Sequence, residues 1–359
     1  MQKLSIDRRS LLRAAAGAAV LPVFAEEKAG VPAGSIVDVS GVRVGHYTDA
    51  RRPTGCTVVI FDNGAVAGVD VRGAAPGTRE TDLLNPLNTV QKINALLLAG
   101  GSAYGLDAAS GVMRYLEENK MGYHVGTAIV PIVPAAILFD LGVGDWKIRP
   151  DAQAGYAACM AAASTAPREG NVGAGAGATV GKMFGMQAAM KSGLGTASVK
   201  MPESDLVIGA IVAVNAVGDV RDRESGRILA GARGKEGFMD CMAQMMHGAT
   251  LPGHHAVEEG AHTTIGIVVT NALFTKSEAT KVAQMAHDGL ARTINPVHTA
   301  ADGDTIFAAG TGTSSVRADV TTIGAIGAEV MARAVNRAVL NATGIAGLPA
   351  HRDLTWFKR

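Results

Sequence analysis

Two short stretches of the chain gather groups capable of covalent chemistry. In "GAHTTIGIVVTN" (260–271), Thr263 and Thr264 follow His262 at the mouth of an apolar, β-branched run. In "INPVHTAADGDTIF" (294–307), Asp302 and Asp304 flank a single glycine. A threonine hydroxyl is a weak nucleophile until a base takes its proton, and a threonine at a chain terminus carries its own base, the α-amine. That amine titrates near neutrality, at about 7.7–8.0 when unperturbed. Two carboxylates this close repel each other, so at least one needs a cation or hydrogen-bond donors to stay ionised. An N-terminal threonine would supply one. A plainer reading stands beside this: threonine favours strands, and Asp-Gly-Asp is also turn chemistry.

Other chemistry-bearing patterns fail on spacing. The glycine-rich "GNVGAGAGATVGK" (170–182) ends in Lys182 but has Ala176 and Met183 where a P-loop needs Gly and Ser or Thr. Gly173 and Gly175 are followed by Ala178, which also breaks the dinucleotide-binding spacing. Gly100-Gly101-Ser102 is not a nucleophile elbow, because Tyr104 stands where that turn needs glycine. His254-His255 sits in a polar loop, "LPGHHAVEEG", and no histidine or cysteine spacing suggests zinc. Cys56, Cys159 and Cys241 are odd in number and far apart; they leave room for one bridge that the sequence does not choose, and read first as small apolar core residues.

The elements that must position these groups alternate between strand pairs and long helices. Residues 35–49 alternate as a strand, and 55–73 reads as two strands joined by a hairpin at Asp62-Asn63-Gly64. A helix is predicted from an N-cap at Ser102, with Leu106, Ala109, Val112, Met113 and Leu116 on one face. Residues 127–145 are an apolar, proline-punctuated strand or loop, and 151–166 a small-residue helix. Residues 204–220 form a strand pair around Asn215, and 224–261 an exposed connection. The strand at 263–273 is followed by a helix with a capping box from Thr275 to Glu278, and 321–344 is a last long helix.

Over 359 residues, 48% are hydrophobic and 18% charged, which excludes long disorder and supplies ample core. Lys and Arg number 33 against 32 Asp and Glu, so no bulk charge draws nucleic acid or an anionic membrane. The start, "DRRSLLRAAAGAAVLPVFA", pairs Arg8 and Arg9 with an apolar stretch too short to span a bilayer. It has the form of a twin-arginine export signal over residues 1–25, with cleavage after Ala25 and a periplasmic product.

Several of these stretches together resemble the L-aminopeptidase/D-esterase and β-aminopeptidase family, which includes nylon-oligomer hydrolases. The resemblance is carried by "GVRVGHYTDARRPTGCTVV", "GGSAYGLDAASGVMRYLEE", "IVPAAILFDLG", "GAGAGATVGK", "TTIGIVVTN" and "INPVHTAADGDTIF", in that order, from about Val37 to residue 345. It implies an αββα sandwich of the kind shared with ornithine acetyltransferase, self-cleaved into a large chain (26–262) and a small chain (263–359). The cut would fall between His262 and Thr263, exposing Thr263 as the nucleophile, with Thr264 the competing candidate. His262 stands where relatives often carry Asn or Gly.

The resemblance also implies that Asp302 and Asp304 orient the nucleophile and its amine. Lys182 would tune that network, and Asn215 would donate to the oxyanion. Phe139 occupies the place of a family tyrosine near the oxyanion site, removing one hydroxyl. No metal or organic cofactor is implied. The partners would be a small peptide or amide substrate and further copies of the chain in a homo-oligomer of αβ protomers. Two rival functions differ in outcome. An acyltransferase of the ornithine acetyltransferase type would pass the acyl group to an amine, and a silent periplasmic binding protein would remain one uncut chain. L-α, β, D and ω-amino-acid amides all fall within the family's range.

Overall fold

The computed structural model describes residues 34–250, 262–317, 319–345 and 347–355. Its large sheet has nine strands: β1 (Val42–Thr48), β2 (Gly55–Val71), β3 (Thr78–Arg79), β4 (Ile93–Ala99), β5 (Ala135–Ile137), β6 (Leu194–Lys200), β7 (Val207–Asn215), β8 (Thr263–Thr270) and β9 (Thr305–Gly310). The longer helices are α1 (Ala108–Glu118), α2 (Ala152–Met160), α3 (Lys276–Thr293) and α4 (Val320–Leu340). The strands run in the order β6-β7-β8-β9-β2-β4-β5-β3, with β1 also on β2.

Strand β2 corrects the hairpin expected at Asp62-Asn63-Gly64. Its first half pairs with β1 (Val44↔Val59) and β4 (Val58↔Leu97), and its second half pairs with β9 (Phe307↔Val69). The apolar runs on either side of Asn63 are thus claimed by different neighbours, so the chain continues instead of reversing. The turn chemistry serves a register shift between Ile60 and Ala65, where Gly64 takes φ +69°.

Because β2 passes between both halves of the sheet, the halves stack face to face. Val59, Phe61, Leu96 and Leu98 of one half meet Ile211, Ile265, Ile267 and Phe307 of the other in a dry core. The outer face of the β6–β9 half packs Val212 and Val268 against Ala283, Ala286 and Leu290 of α3 and Val330, Met331 and Val335 of α4. The opposite outer face sets Val58, Ile60 and Leu97 against Val112 and Leu116 of α1 and Ala158 of α2. The period-2 alternation of each strand therefore feeds two cores at once, giving helix, sheet, sheet and helix layers. This is the expected αββα sandwich.

Local expectations hold at α3, where Glu278 N donates to Thr275 Oγ1 at 3.3 Å and Thr275 N to Glu278 Oε2 at 2.7 Å, a complete capping box. Ser102 is not an N-cap: it has φ +54°, Ser102–Asp107 is a 3₁₀ turn, and the α-helix begins at Ala108. The stretch after 224 is less exposed than expected, since Ala230, Ala232 and Cys241 are buried. Cys56, Cys159 and Cys241 are all free and buried, as small core residues. The export signal and His254-His255 lie outside the described residues.

Candidate active site

One end of the β7–β8–β9 ladder collects the reactive groups for a topological reason. Strands β8 and β9 are parallel, so both start at the same end, and antiparallel β7 finishes there. Asn215, the last residue of β7, is the register partner of Thr263, the first of β8. A lone parallel bridge joins His262 to Asp302, so the Asp-Gly-Asp segment enters the same corner ahead of β9.

Thr263 is 1% exposed, and its hydroxyl donates to the carbonyl oxygen of His262 at 2.5 Å. That oxygen also accepts the amide of Gly303 at 2.9 Å. A Cβ at position 303 would stand 2.5 Å from the Ala75 carbonyl oxygen and 2.8 Å from Thr263 Oγ1, so only glycine brings the amide this close. Thr264 points to the other face of the strand. Its hydroxyl is buried with no partner among the described residues, while its amide donates to Asp304 Oδ1 at 2.7 Å.

The two carboxylates are buried, Asp302 at 2% and Asp304 at 1% exposure. Asp304 Oδ2 accepts His298 N at 3.1 Å and His298 Nδ1 at 2.8 Å. Asp302 Oδ2 accepts Thr299 N at 2.7 Å and Thr299 Oγ1 at 2.6 Å. Burial, and then the neighbouring charge of Asp304, push the Asp302 carboxyl up to about 6, against the Thr299 hydrogen bonds and the Lys182 charge.

Lys182 and Asn215 do meet at this corner. Lys182 Nζ donates to Asn215 Oδ1 at 2.9 Å and to the Asn215 carbonyl at 3.1 Å. Burial pulls the Lys182 ammonium down to about 7, opposed by the charges of Asp302, Asp140 and Asp304. Asn215 Oδ1 also accepts Thr179 N at 3.0 Å, and its Nδ2 donates to the Phe139 carbonyl oxygen at 2.9 Å. Phe139 therefore joins the site through its main chain. The residue after it, Asp140, is fully buried in an ion pair with Arg52 and accepts from Thr54 Oγ1 at 2.7 Å and Gly101 N at 2.9 Å. His262 is 3% exposed with neither ring nitrogen partnered among the described residues. Burial, with the Lys182 charge second, drops its imidazole to about 2, so it is neutral.

All seven residues singled out from the sequence thus converge here. Gly303, His298, Thr299 and Thr179 also converge, and sequence reasoning passed them over. The one signal available was the Thr-x-x-Asp spacing of Thr299 and Asp302, the pattern of a side chain that caps its own turn.

Comparison with known proteins follows the same lines. Residues 34–352 match the family model of peptidase family S58. An uncharacterized aminopeptidase of Mycobacterium tuberculosis is 44% identical over 356 residues, covering 89% of this chain and 97% of that protein. A 6-aminohexanoate-oligomer endohydrolase of Kocuria sp. is 33% identical over 319 residues, covering 83% of this chain and 84% of that one. Among solved structures, a Burkholderia β-aminopeptidase superposes with a TM-score of 0.64 at 20% identity, over 88% of this chain and 89% of that chain. The L-aminopeptidase D-Ala-esterase/amidase of Ochrobactrum anthropi, a variant of the Ntn hydrolase fold, gives 0.65 at 18% identity, over 90% of this chain and 93% of that chain. The fold, the site and these relatives agree: this chain belongs to peptidase family S58 and is a hydrolase acting on amide bonds.

Proposed function

We propose that this protein cuts itself between His262 and Thr263 and then works as an N-terminal-threonine amide hydrolase. The observation that carries the proposal is the double contact on the His262 carbonyl, from the Thr263 hydroxyl at 2.5 Å and from the Gly303 amide at 2.9 Å. In the cut, Thr263 Oγ bonds to the His262 carbonyl carbon while the Gly303 N–H holds the oxyanion. The peptide C–N bond then breaks, and the hydroxyl proton ends on the departing Thr263 nitrogen. Water opens the resulting ester, leaving a His262 carboxylate and a Thr263 α-amine. The ring of His262 takes no part, because the attacked group is backbone.

In turnover, the α-amine acts as general base for the Thr263 hydroxyl, which attacks the substrate carbonyl to form an acyl-enzyme. Asp304 accepts from the Thr264 amide beside that new amine, and Asp302 shares its electrostatic environment with Lys182. Asn215, facing Thr263 across the ladder, is the proposed donor to the substrate's oxyanion. Aminopeptidase action on peptides or amino-acid amides is the favoured activity. The 33% identical oligomer hydrolase supports ω-amino-acid amides as a second substrate class. Export through the Arg8-Arg9 signal and assembly into homo-oligomers of αβ protomers belong to the same proposal.

A denaturing gel tests it. The purified wild type should run as two chains and Thr263→Ala as one, and a panel of amino-acid p-nitroanilides should be hydrolysed by the wild type alone. An uncut wild type that hydrolyses the panel would refute the proposal.

A further inference from the structure

The two buried carboxylates are gripped by two consecutive residues in the same manner. His298 gives Asp304 Oδ2 both its main-chain N–H (3.1 Å) and its Nδ1 (2.8 Å). Thr299 gives Asp302 Oδ2 both its main-chain N–H (2.7 Å) and its hydroxyl (2.6 Å). We propose that His298 and Thr299 are positioning residues, a paired clamp that fixes the aim of both carboxylates while they work beside Thr263. The inference rests on the Thr263 reading above for what the carboxylates do, but the clamp itself is a matter of donors and acceptors.

Two carboxylates separated by one glycine and shut away from water would share a proton unless each charge were met by donors. Each hydrogen bond to the charged form favours it, and a hydrogen bond to a charged group is among the stronger kinds. Because both donors from each residue converge on Oδ2, Asp304 keeps Oδ1 for the Thr264 amide at 2.7 Å. The main chain bends to permit this: His298 has φ +56°, a region that side chains other than glycine enter at a cost, though histidine does so more readily than most.

The His298 ring is also held from behind. Donation from Nδ1 to a carboxylate fixes the tautomer, and Nε2 is buried with no partner among the described residues. The ring stacks edge-on against His287, with centroids 4.7 Å apart and planes at 72°. His287 Nε2 lies 3.0 Å from the Asp70 carbonyl oxygen and 3.6 Å from its carboxylate, which in turn accepts from Arg72 at 2.9 Å. The charged and titratable groups around the clamp are therefore Asp304 and His287 in contact with His298, Asp70 and Arg72 behind His287, and Asp302 and Lys182 across the site.

Two matched pairs of variants test the clamp, read by kcat, KM, the pH profile of turnover and melting temperature. His298→Ala removes the side-chain donor, whereas His298→Asn keeps a donor of similar reach and tolerates positive φ. Thr299→Val removes only the hydroxyl donor, whereas Thr299→Ser keeps it. The clamp predicts that His298→Ala and Thr299→Val each lower kcat about tenfold with KM little changed, the worth of one hydrogen bond to a charged group. Thr299→Val should also move the acid limb of the profile up by about one pH unit, because the Thr299 hydrogen bonds hold the Asp302 carboxyl down. His298→Asn should restore kcat, and Thr299→Ser both quantities. If His298→Ala fails to accumulate, the conservative threonine pair decides alone. An unmoved acid limb in Thr299→Val, or donor-keeping variants no better than donor-lacking ones at matched melting temperature, would overturn the proposal. Failure of the Thr263 reading shows itself separately, as an uncut wild type, and leaves the pH comparison of the clamp variants intact.

Discussion

The amide of Gly303 donates to the carbonyl oxygen of His262 at 2.9 Å, on the same peptide group that the Thr263 hydroxyl touches. A donor placed on a carbonyl that is to become an oxyanion stabilises the transition state more than the ground state. Gly303→Ala tests this contact. The added Cβ would collide with the Ala75 carbonyl and with Thr263 Oγ1, so the amide must withdraw. Self-cleavage should slow by about 10²- to 10³-fold, the usual worth of one such donor. Time-resolved gels of freshly synthesised protein would measure it, and unchanged kinetics would argue against this role.

The pH dependence follows from the carboxylate pair. Asp302 has its pKa raised, to about 6, so it is protonated below that value and ionised above it. If its charge is needed, kcat/KM falls further as pH drops through about 6, below the fall that protonation of the Thr263 α-amine causes at higher pH. The charge of Asp304 is one cause of that elevation. Asp304→Asn therefore lowers the pKa of Asp302, and the acid limb of the residual activity should move to lower pH. A limb that stays in place or moves up would contradict the assignment.

The floor of the site depends on Arg52. Its side chain and that of Asp140 are both fully buried, and its guanidinium also donates to the Val143 carbonyl at 2.8 Å and the Ile148 carbonyl at 2.7 Å. Arg52→Leu leaves the Asp140 carboxylate without its counter-charge, next to the Phe139 carbonyl that receives Asn215. The expected cost is about 3–5 kcal/mol, measurable by urea denaturation. A loss below 1 kcal/mol would mean that the pair is not the structural anchor.

How far the sequence alone discloses this site depends on what each residue contributes. Thr263, Asp302 and Asp304 stand out because hydroxyl and carboxylate side chains announce their chemistry. Lys182 and Asn215 do not: each is ordinary in its own segment, and only the resemblance to known hydrolases singles them out. Gly303 contributes an amide and the absence of a Cβ, and neither leaves a mark in composition or periodicity. His298 acts from a left-handed backbone position that its neighbours in sequence do not encode. The layered fold is legible from alternating strand and helix patterns. The course of β2 is not, because an Asp-Asn-Gly triplet serves a hairpin and a bulge equally well, and the choice is made by which distant strands claim each half.

The most direct test of the account is intact mass spectrometry of the purified protein with N-terminal sequencing of any small fragment, for the wild type, Thr263→Ala and Thr264→Ala. The account predicts that the wild type and Thr264→Ala yield a fragment beginning at Thr263, and that Thr263→Ala remains whole and inactive. A fragment starting elsewhere, or full amide hydrolysis by uncut Thr263→Ala, would contradict it.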